Sequence, residues 1–175
     1  MAQISRENIV AMIHEATSAV FSTMLNLPVD ALAAREEQGD PAPVDGVVAL
    51  VGIAGPWTGT GRIYCSADFA RAIAGALLMT EFAAVDAEVL DAVAEVANMI
   101  IGNLKTALEN ELGPLALSVP TVIYGRNYQA RTASVHDWIV APFRCGADMM
   151  DIRFCLLPTS ESPRAAQVRQ EPAPV

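Results

Sequence analysis

Apolar residues recur at three- and four-residue spacing through the first 28 positions, and this pattern predicts an amphipathic helix. Ser5 is a suitable N-cap at its start, and Pro28 ends it. Residues 29–45 are polar and contain prolines, so we expect a loop there with at most one short turn of helix. The expected inner face of the first helix consists of Ile9, Met12, Ile13, Ala16, Val20 and Met24.

A longer apolar period runs through residues 86–113 and predicts the longest helix of the chain. Asp86 is a good N-cap, Glu88 places a negative charge in the first turn, and Gly113 followed by Pro114 ends the helix. About 26 residues at 1.5 Å per residue give a rod about 40 Å long. Its apolar positions share one face, which we expect to pack on a core: Val89, Val93, Val96, Ala97, Ile100, Leu104 and Leu108.

Strand-like runs lie on both sides of this helix. Residues 46–54 and 58–66 flank a Gly-Pro-Trp turn and predict an antiparallel hairpin. After the long helix, residues 117–125, 131–145 and 148–157 predict three more strands.

A shorter helix is expected between the first hairpin and the long helix, over residues 67–79. Ser66 can cap it, and its expected inner side holds Phe69, Ile73, Leu77 and Leu78. The last residues, 158–175, are rich in proline and polar side chains and show no apolar period, so we expect a disordered tail.

The order of elements suggests two copies of one plan, in which a long helix is followed by a connection and a strand pair. Aligning the first helix with the long one places Glu15 against Glu95, Ser18 against Asn98 and Ala11 against Asp91. Any two amphipathic helices can be aligned on their apolar faces. An internal αββ repeat and a chance likeness therefore both stay open.

Composition narrows the class of protein. The formal net charge of −9 argues against a nucleic-acid surface, which needs a basic stripe to neutralise phosphates. The longest apolar run, residues 47–57, is broken by glycine and proline and is too short to cross a bilayer. The N-terminal residues lack a basic start followed by an apolar block, so no signal peptide is visible and the cytoplasm is the expected compartment. No membrane partner is expected.

The cysteines and histidines do not form a recognisable site. Cys65, Cys145 and Cys155 are far from CxxC spacing and lie in apolar, strand-like runs, so we expect small buried hydrophobic residues. His14 and His136 are isolated, with no second ligand at metal-binding spacing. No metal site is expected.

Polar residues interrupt the long helix on the side opposite its apolar face. With 100° per residue and Asp91 at zero, Glu95 falls near 40°, Asn98 near −20° and Gly102 near 20°. These four residues, which we call the polar stripe, are expected to face outward, within reach of a partner. Outward polar residues on a helix are usually a solvated face, and that interpretation stands beside a functional one.

The spacing Asp91-x3-Glu95-x2-Asn98-x21-Pro120 resembles the signature of the CheC/CheX/FliY family, phosphatases of the chemotaxis response regulator CheY. The residues around it, 94–100 and 119–122, are similar to the family's segments. The strand GVVALVGIAG and the following GRIYCS resemble the CheX branch most, and the resemblance covers roughly residues 5–157. Because Ser18 stands where a second active amide would be, one active face per chain is expected, as in the single-site CheX pattern.

The resemblance implies an α+β, CheC/CheX-like fold over residues 1–157. This fold is a mainly antiparallel sheet with two long helices and one shorter helix on one face, and the protein is expected to form a homodimer. The implied activity is hydrolysis of the aspartyl phosphate of a CheY-like receiver domain in two-component signalling. No cofactor of its own is expected, since the receiver domain supplies the Mg²⁺.

Residue roles follow from the same resemblance. Asn98 is expected to position the attacking water, because a carboxamide both donates and accepts hydrogen bonds without becoming a nucleophile. Glu95 is expected to engage the receiver's active-site lysine. Asp91, Gly102 and Pro120 are supporting candidates. Asp91 is expected to support the surroundings of Glu95 or to touch the partner, and Gly102 to leave room for the partner's loops. Pro120 is expected to set the start of a strand beside the helix. The alternatives are a non-catalytic CheX-like binding or scaffold module, and a helix face that serves only as a contact between subunits.

Overall fold

The computed structural model describes residues 4–39, 44–129 and 137–161. Within these ranges the chain forms three α-helices: α1 (Arg6–Val20), α2 (Ala67–Leu78) and α3 (Ala87–Leu112). The strands in these ranges are β1 (Asp30–Ala31), β2 (Arg35–Gln38), β3 (Val44–Ala54), β4 (Trp57–Cys65), β5 (Ala116–Leu117), β6 (Thr121–Tyr128), β7 (Asp137–Cys145) and β8 (Asp148–Pro158). Among the described helices, none combines the length and the apolar composition needed to cross a membrane.

The described strands form one antiparallel sheet in the order β1, β7, β8, β4, β3, β5. In addition, β2 pairs with β7, and β6 pairs with β3. The predicted hairpin is present as β3 and β4, and β7 and β8 form the second hairpin. Pairing of β4 with β8 joins the two hairpins at the centre of the sheet. The α+β class is therefore confirmed, as is the antiparallel sheet.

The three helices cover one face of this sheet. Alternate residues of the central strands, such as Val47 and Ala49 in β3 and Ile152 and Phe154 in β8, enter the same core as the helices' apolar faces. On the opposite face a small cluster contains Trp138, Val140 and Cys155. The Arg62 guanidinium lies over the Trp138 ring, 4.3 Å from its centroid.

The two halves of the chain exchange edge strands. The first half runs from α1 to β4 and the second from α3 to β8. In each half a helix is followed by two connecting strands and then by a hairpin. The connection strands of the first half, β1 and β2, pair with β7 of the second half, whereas β5 and β6 pair with β3 of the first half. This reciprocal pairing is what an internal repeat, left open by the sequence, would give if its two copies interlocked.

The end of the first helix differs from the prediction. Regular α-helix stops at Val20, residues Phe21–Leu25 form a π-helical turn, and Asn26 closes it in a left-handed conformation. The wider turn changes the direction of the side chains, so Met24 is exposed although its spacing placed it on the inner face. Phe21 is buried and stacks on Phe69 of α2.

The connection 29–45 is not the predicted loop, because β1 and β2 lie within it. Glu37 of β2 bonds to an arginine of its own strand and to one of β8: it accepts from Arg35 Nε at 2.8 Å and from Arg153 Nη1 at 2.6 Å. Pairing with β7, about a hundred residues later in the chain, stabilises a strand that its own sequence does not indicate.

The second half matches its predicted strands with shifted bounds. The predicted strand 117–125 is divided into β5 and β6, and the predicted strand 131–145 corresponds to β7, with residues 131–136 outside the described residues. At the C-terminus β8 continues to Pro158, and a 3-10 turn covers Thr159–Glu161. Of the predicted tail, residues 162–175 lie outside the described residues.

Candidate functional site

Helix α3 has the capped ends that its sequence predicts. Asp86 is the N-cap, and its Oδ1 accepts a hydrogen bond from the Val89 N–H at 3.0 Å. At the other end Gly113 has a positive φ of 82°, and its N–H donates to the Glu109 carbonyl. The helix is thus a fixed rod across the sheet.

The apolar face of α3 anchors this rod in the core. All of the positions predicted for that face are buried: Val89, Val93, Val96, Ala97, Ile100, Leu104 and Leu108. The polar stripe lies on the other side of the helix. Asp91 and Glu95 are exposed, and Asn98 and Gly102 are half-buried. A partner that approaches this side meets carboxylates first and the carboxamide one turn further along.

Asp91 and Glu95 line a groove between α3 and the end of α2. The groove's other residues are Leu77, Leu78, Thr80, Glu88 and Ala92. Asn98 is three residues beyond Glu95, about 4.5 Å along the helix axis. The groove therefore leads along α3 towards the carboxamide.

Gly102 leaves open space at the far end of the stripe. A Cβ built at this position would meet no atom within 4 Å outside its own helix turn, so the fold itself does not require glycine there. Pro120 directly precedes β6, the strand that pairs with β3. This position agrees with a structural part in starting the strand, away from the groove residues.

The first-helix counterpart of the site has a different environment. Glu15 lines a separate groove between α1 and α3, together with Asn103, Thr106 and Asn110 of α3. Ser18 is half-buried on α1 and takes the place that the alignment gives to Asn98. The carboxylate of the repeat is thus present on α1, without the amide three residues later.

One residue of the groove was assigned wrongly from the sequence. Leu78 was predicted on the inner side of the second helix, but its side chain is 47% exposed. Phe69 and Ile73 are buried, and Leu78 lies about 180° from Phe69 on a helical wheel. The same spacing would have identified Leu78 as an outward apolar residue, and hence as a member of a surface site.

The cysteines and His14 take no part in the site. Burial raises the pKa of the Cys65 thiol to about 12 and that of the Cys155 thiol to about 11, so both are neutral and unreactive near pH 7. His14 packs edge-to-face on Phe143, with 5.5 Å between ring centroids. His136 lies outside the described residues. Within those residues, no three acidic, histidine or cysteine side chains are grouped closely enough to hold a metal ion.

Comparison with known families decides the assignment. Residues 47–144, more than half of the chain, match the family model described as chemotaxis phosphatase CheX. The chain belongs to the CheX family. The CheX match includes most of β3, all of β4, α2 and α3, and most of β7, so it contains the whole polar stripe and Pro120. No curated protein sequence matches the chain significantly.

Solved structures share the fold. A CheC-like superfamily protein from Shewanella sp. PV-4 is 22% identical, with a TM-score of 0.77, over 88% of this chain and 99% of that one. The chemotaxis protein CheX from Desulfovibrio desulfuricans is 26% identical, with a TM-score of 0.75, over 85% and 99%. CheX in a complex with CheY, BeF3 and Mg²⁺ from Borrelia burgdorferi is 23% identical, with a TM-score of 0.70, over 86% and 99%.

Proposed function

We propose that this CheX-family protein hydrolyses the aspartyl phosphate of a CheY-like receiver domain, and that the polar stripe of α3 is its active face. The observation that carries the proposal is the position of Glu95 and Asn98 on the outward side of a helix whose opposite face is fully buried. A rigid rod of this kind can place a side chain in a partner's active site without a loss of its own core packing. Membership in the CheX family supports the reaction, and the similarity to CheX solved with CheY supports the class of partner.

Asn98 would position the attacking water. A receiver domain holds its own Mg²⁺ and lysine against the phosphoryl group, so the missing element is a water held in line with the bond that breaks. Phosphoryl transfer depends chiefly on such placement and on electrostatics. The carboxamide of Asn98 can accept one hydrogen bond from the water and donate another, and its protonation does not change with pH in the physiological range.

Glu95 would orient the receiver. Its exposed carboxylate lies one turn before Asn98 on the same side of α3. In this position it would engage the receiver's active-site lysine, while Asn98 reaches the phosphoryl group. Asp91 would add negative charge a further turn back, Gly102 would leave room for the partner's loops, and Pro120 would fix the start of β6.

The test uses receiver domains of the source organism, phosphorylated with a radiolabelled small-molecule phosphodonor. The rate at which they lose the label is measured with and without the protein. The Asn98→Ala variant should lose at least about 100-fold of the acceleration while it still binds the receiver, because misplacing a water by about 1 Å costs that much. Asn110→Ala is the matched control, since Asn110 is an exposed amide on the same helix, three turns away. Unchanged turnover in the Asn98→Ala variant would overturn the water-positioning role.

A non-catalytic binding or scaffold module is the second candidate function. The exposed carboxylates of α3 would serve binding equally well, whereas the carboxamide of Asn98, one turn beyond Glu95, favours catalysis. Wild-type protein that binds the phosphorylated receivers without faster loss of label would establish the module. Under either function a CheY-like partner would imply a cytoplasmic location, which is part of the proposal.

A homodimer is part of the proposal. Among the described strands, β6 pairs with β3 alone, and Val119, Ile123 and Tyr124 on or beside it are exposed. An antiparallel edge strand can pair with its own copy across a two-fold axis. Analytical ultracentrifugation should give a dimer for the wild type and a monomer for Ile123→Lys, with Met149→Lys as the control for an added surface charge. A monomeric wild type would refute the dimer.

A further inference from the structure

The end of α2 carries two exposed apolar side chains, one of which lines the groove that also holds Asp91 and Glu95 of the polar stripe. Leu78 is the last helical residue, and Met79 follows it in the left-handed conformation with φ 53°. Leu78 is 47% exposed and Met79 is 91% exposed. We call these two residues the apolar knob.

The backbone at Met79 is one that glycine would adopt at lower cost. The N–H groups of Met79 and Thr80 both donate to the Gly75 carbonyl, which closes α2 in the way that usually places glycine at this position. The other described non-glycine residues with positive φ are Asn26 and Asn127, and asparagine tolerates this conformation well. A methionine at such a position, with its side chain in solvent, does nothing for the fold that glycine would not do better.

The knob is held in a fixed place. Arg71 of α2 donates from Nη1 to the Phe82 carbonyl at 3.0 Å, which ties down the segment between α2 and α3. Its Nη2 donates to Asp68 Oδ1 at 2.6 Å, so the guanidinium is itself oriented. With both ends of the turn hydrogen-bonded, Met79 is presented from a constrained backbone.

Charge in the adjoining groove indicates what would bind there. One wall is apolar and consists of Leu77 and Leu78, and the facing wall carries the carboxylates of Glu88, Asp91 and Glu95. Among the described residues that line this groove, none is basic. The carboxylates do not form a group that could chelate a metal ion. Their successive positions along α3 suit separate cationic side chains, and the apolar wall suits the aliphatic stems of such side chains.

We propose that the apolar knob and the Glu88–Asp91 wall form a second docking contact for the receiver domain, next to the contact made by Glu95. The contact takes a lysine or arginine of the receiver surface, whose stem packs on Leu78 and Met79 and whose charge faces Asp91. This inference rests on the proposed function, because it uses the same partner and continues the same face of α3. The contact lies about two turns from Asn98, so it determines affinity and leaves the reacting atoms untouched.

The Met79→Gly variant separates docking from folding. Its thermal midpoint should equal or exceed that of the wild type, since glycine suits the backbone. Its dissociation constant for a beryllofluoride-activated receiver should rise about tenfold through loss of apolar contact. In the dephosphorylation assay KM should rise by the same factor with kcat unchanged, the signature of a contact made equally in the ground and transition states.

Control variants distinguish a failure of the second docking contact from a failure of the proposed phosphatase function. Met79→Asn also fits the left-handed backbone and should reproduce the loss of affinity, whereas Met149→Ala, an exposed methionine beside the Gly146 turn, should leave affinity unchanged. Unaltered affinity in Met79→Gly, with normal turnover, would overturn the second contact and leave the phosphatase function standing. If Met79→Gly changed the sedimentation of the protein but not its affinity for the receiver, the apolar knob would serve self-association. That result would also overturn the second docking contact. If the wild type binds none of the receivers, both proposals fall.

Discussion

Gly61 of β4 lies directly under Ile101 of α3. A Cβ at position 61 would overlap Cδ1 of Ile101 and would lie 2.8 Å from its Cγ1. The pair sets how closely α3 approaches the middle of the sheet, and Ile101 is adjacent to Gly102 of the polar stripe. The distance between the sheet and the proposed active face of α3 therefore depends on the absence of a side chain at Gly61.

Replacement of Gly61 by alanine should destabilise the protein. The added methyl group must displace a buried side chain in a filled core, and overpacking of this kind costs about 1–3 kcal/mol. The free energy of unfolding measured by urea titration should fall by that amount. Ile101→Val in the same chain should recover part of the loss, because it removes a methyl group at the contact. If the effects of Gly61→Ala and Ile101→Val on the free energy of unfolding simply added, the overlap would be relieved by a movement other than that of Ile101.

Gly102 should respond in the opposite manner. Since the space around it is open, Gly102→Ala should raise the stability of α3 by about 1 kcal/mol. Gly102→Leu should be nearly as stable but should weaken binding of the receiver, because its side chain projects from the docking face. Calorimetric titration with a beryllofluoride-activated receiver measures the effect, and Gly102→Ala is the matched control. Equal affinities of the two variants would contradict a docking role for this position.

Reversal of charge at Glu95 should reduce affinity as well as rate. Glu95→Lys puts a positive charge where the receiver's lysine is expected, so attraction is replaced by repulsion, and the effect should shrink at high salt. Glu111→Lys, which changes an exposed glutamate near the end of the same helix, controls for net charge. A Glu95→Lys variant with the affinity of the wild type would remove the anchor from the proposed mechanism.

Protonation of His14 should destabilise the fold in mild acid. Burial lowers the pKa of His14, so the unfolded chain takes up a proton at a higher pH than the folded protein does. Stability from this residue is complete above the unfolded pKa of about 6.5 and is lost as pH falls through the folded value. The thermal midpoint should therefore drop more between about pH 8 and pH 5.5 for the wild type than for His14→Gln. Parallel curves for the two proteins would assign the pH dependence to other groups.

The parts of the fold that local chemistry determines could be predicted from the sequence. Both ends of α3 follow from Asp86 and Gly113, whose effects act within one turn of the helix. The turn of the β3–β4 hairpin follows from its glycine and proline in the same way. In contrast, β2 depends on charges from Arg153, which is more than a hundred residues away, and no local pattern reveals it.

The candidate site divides in the same manner. The polar stripe was visible because helical periodicity alone places Asp91, Glu95 and Asn98 on one side of α3. The groove was not visible, because it depends on how the end of α2 packs beside α3. The left-handed backbone at Met79 was also beyond reach, since methionine there gives no turn signal of the kind that glycine or asparagine would give.

The exchange of edge strands has a consequence for biosynthesis. Of the described strands β8 is made last, and it lies in the interior of the sheet, between β7 and β4. The ribosome must therefore release nearly the whole described chain before β8 can pair with both β7 and β4. Until then the β4 edge of the β3–β4 hairpin is unpaired. Contacts so distant in sequence form slowly. Until β8 has been made the nascent chain carries an open sheet edge, and this is the stage at which a chaperone would have most to protect.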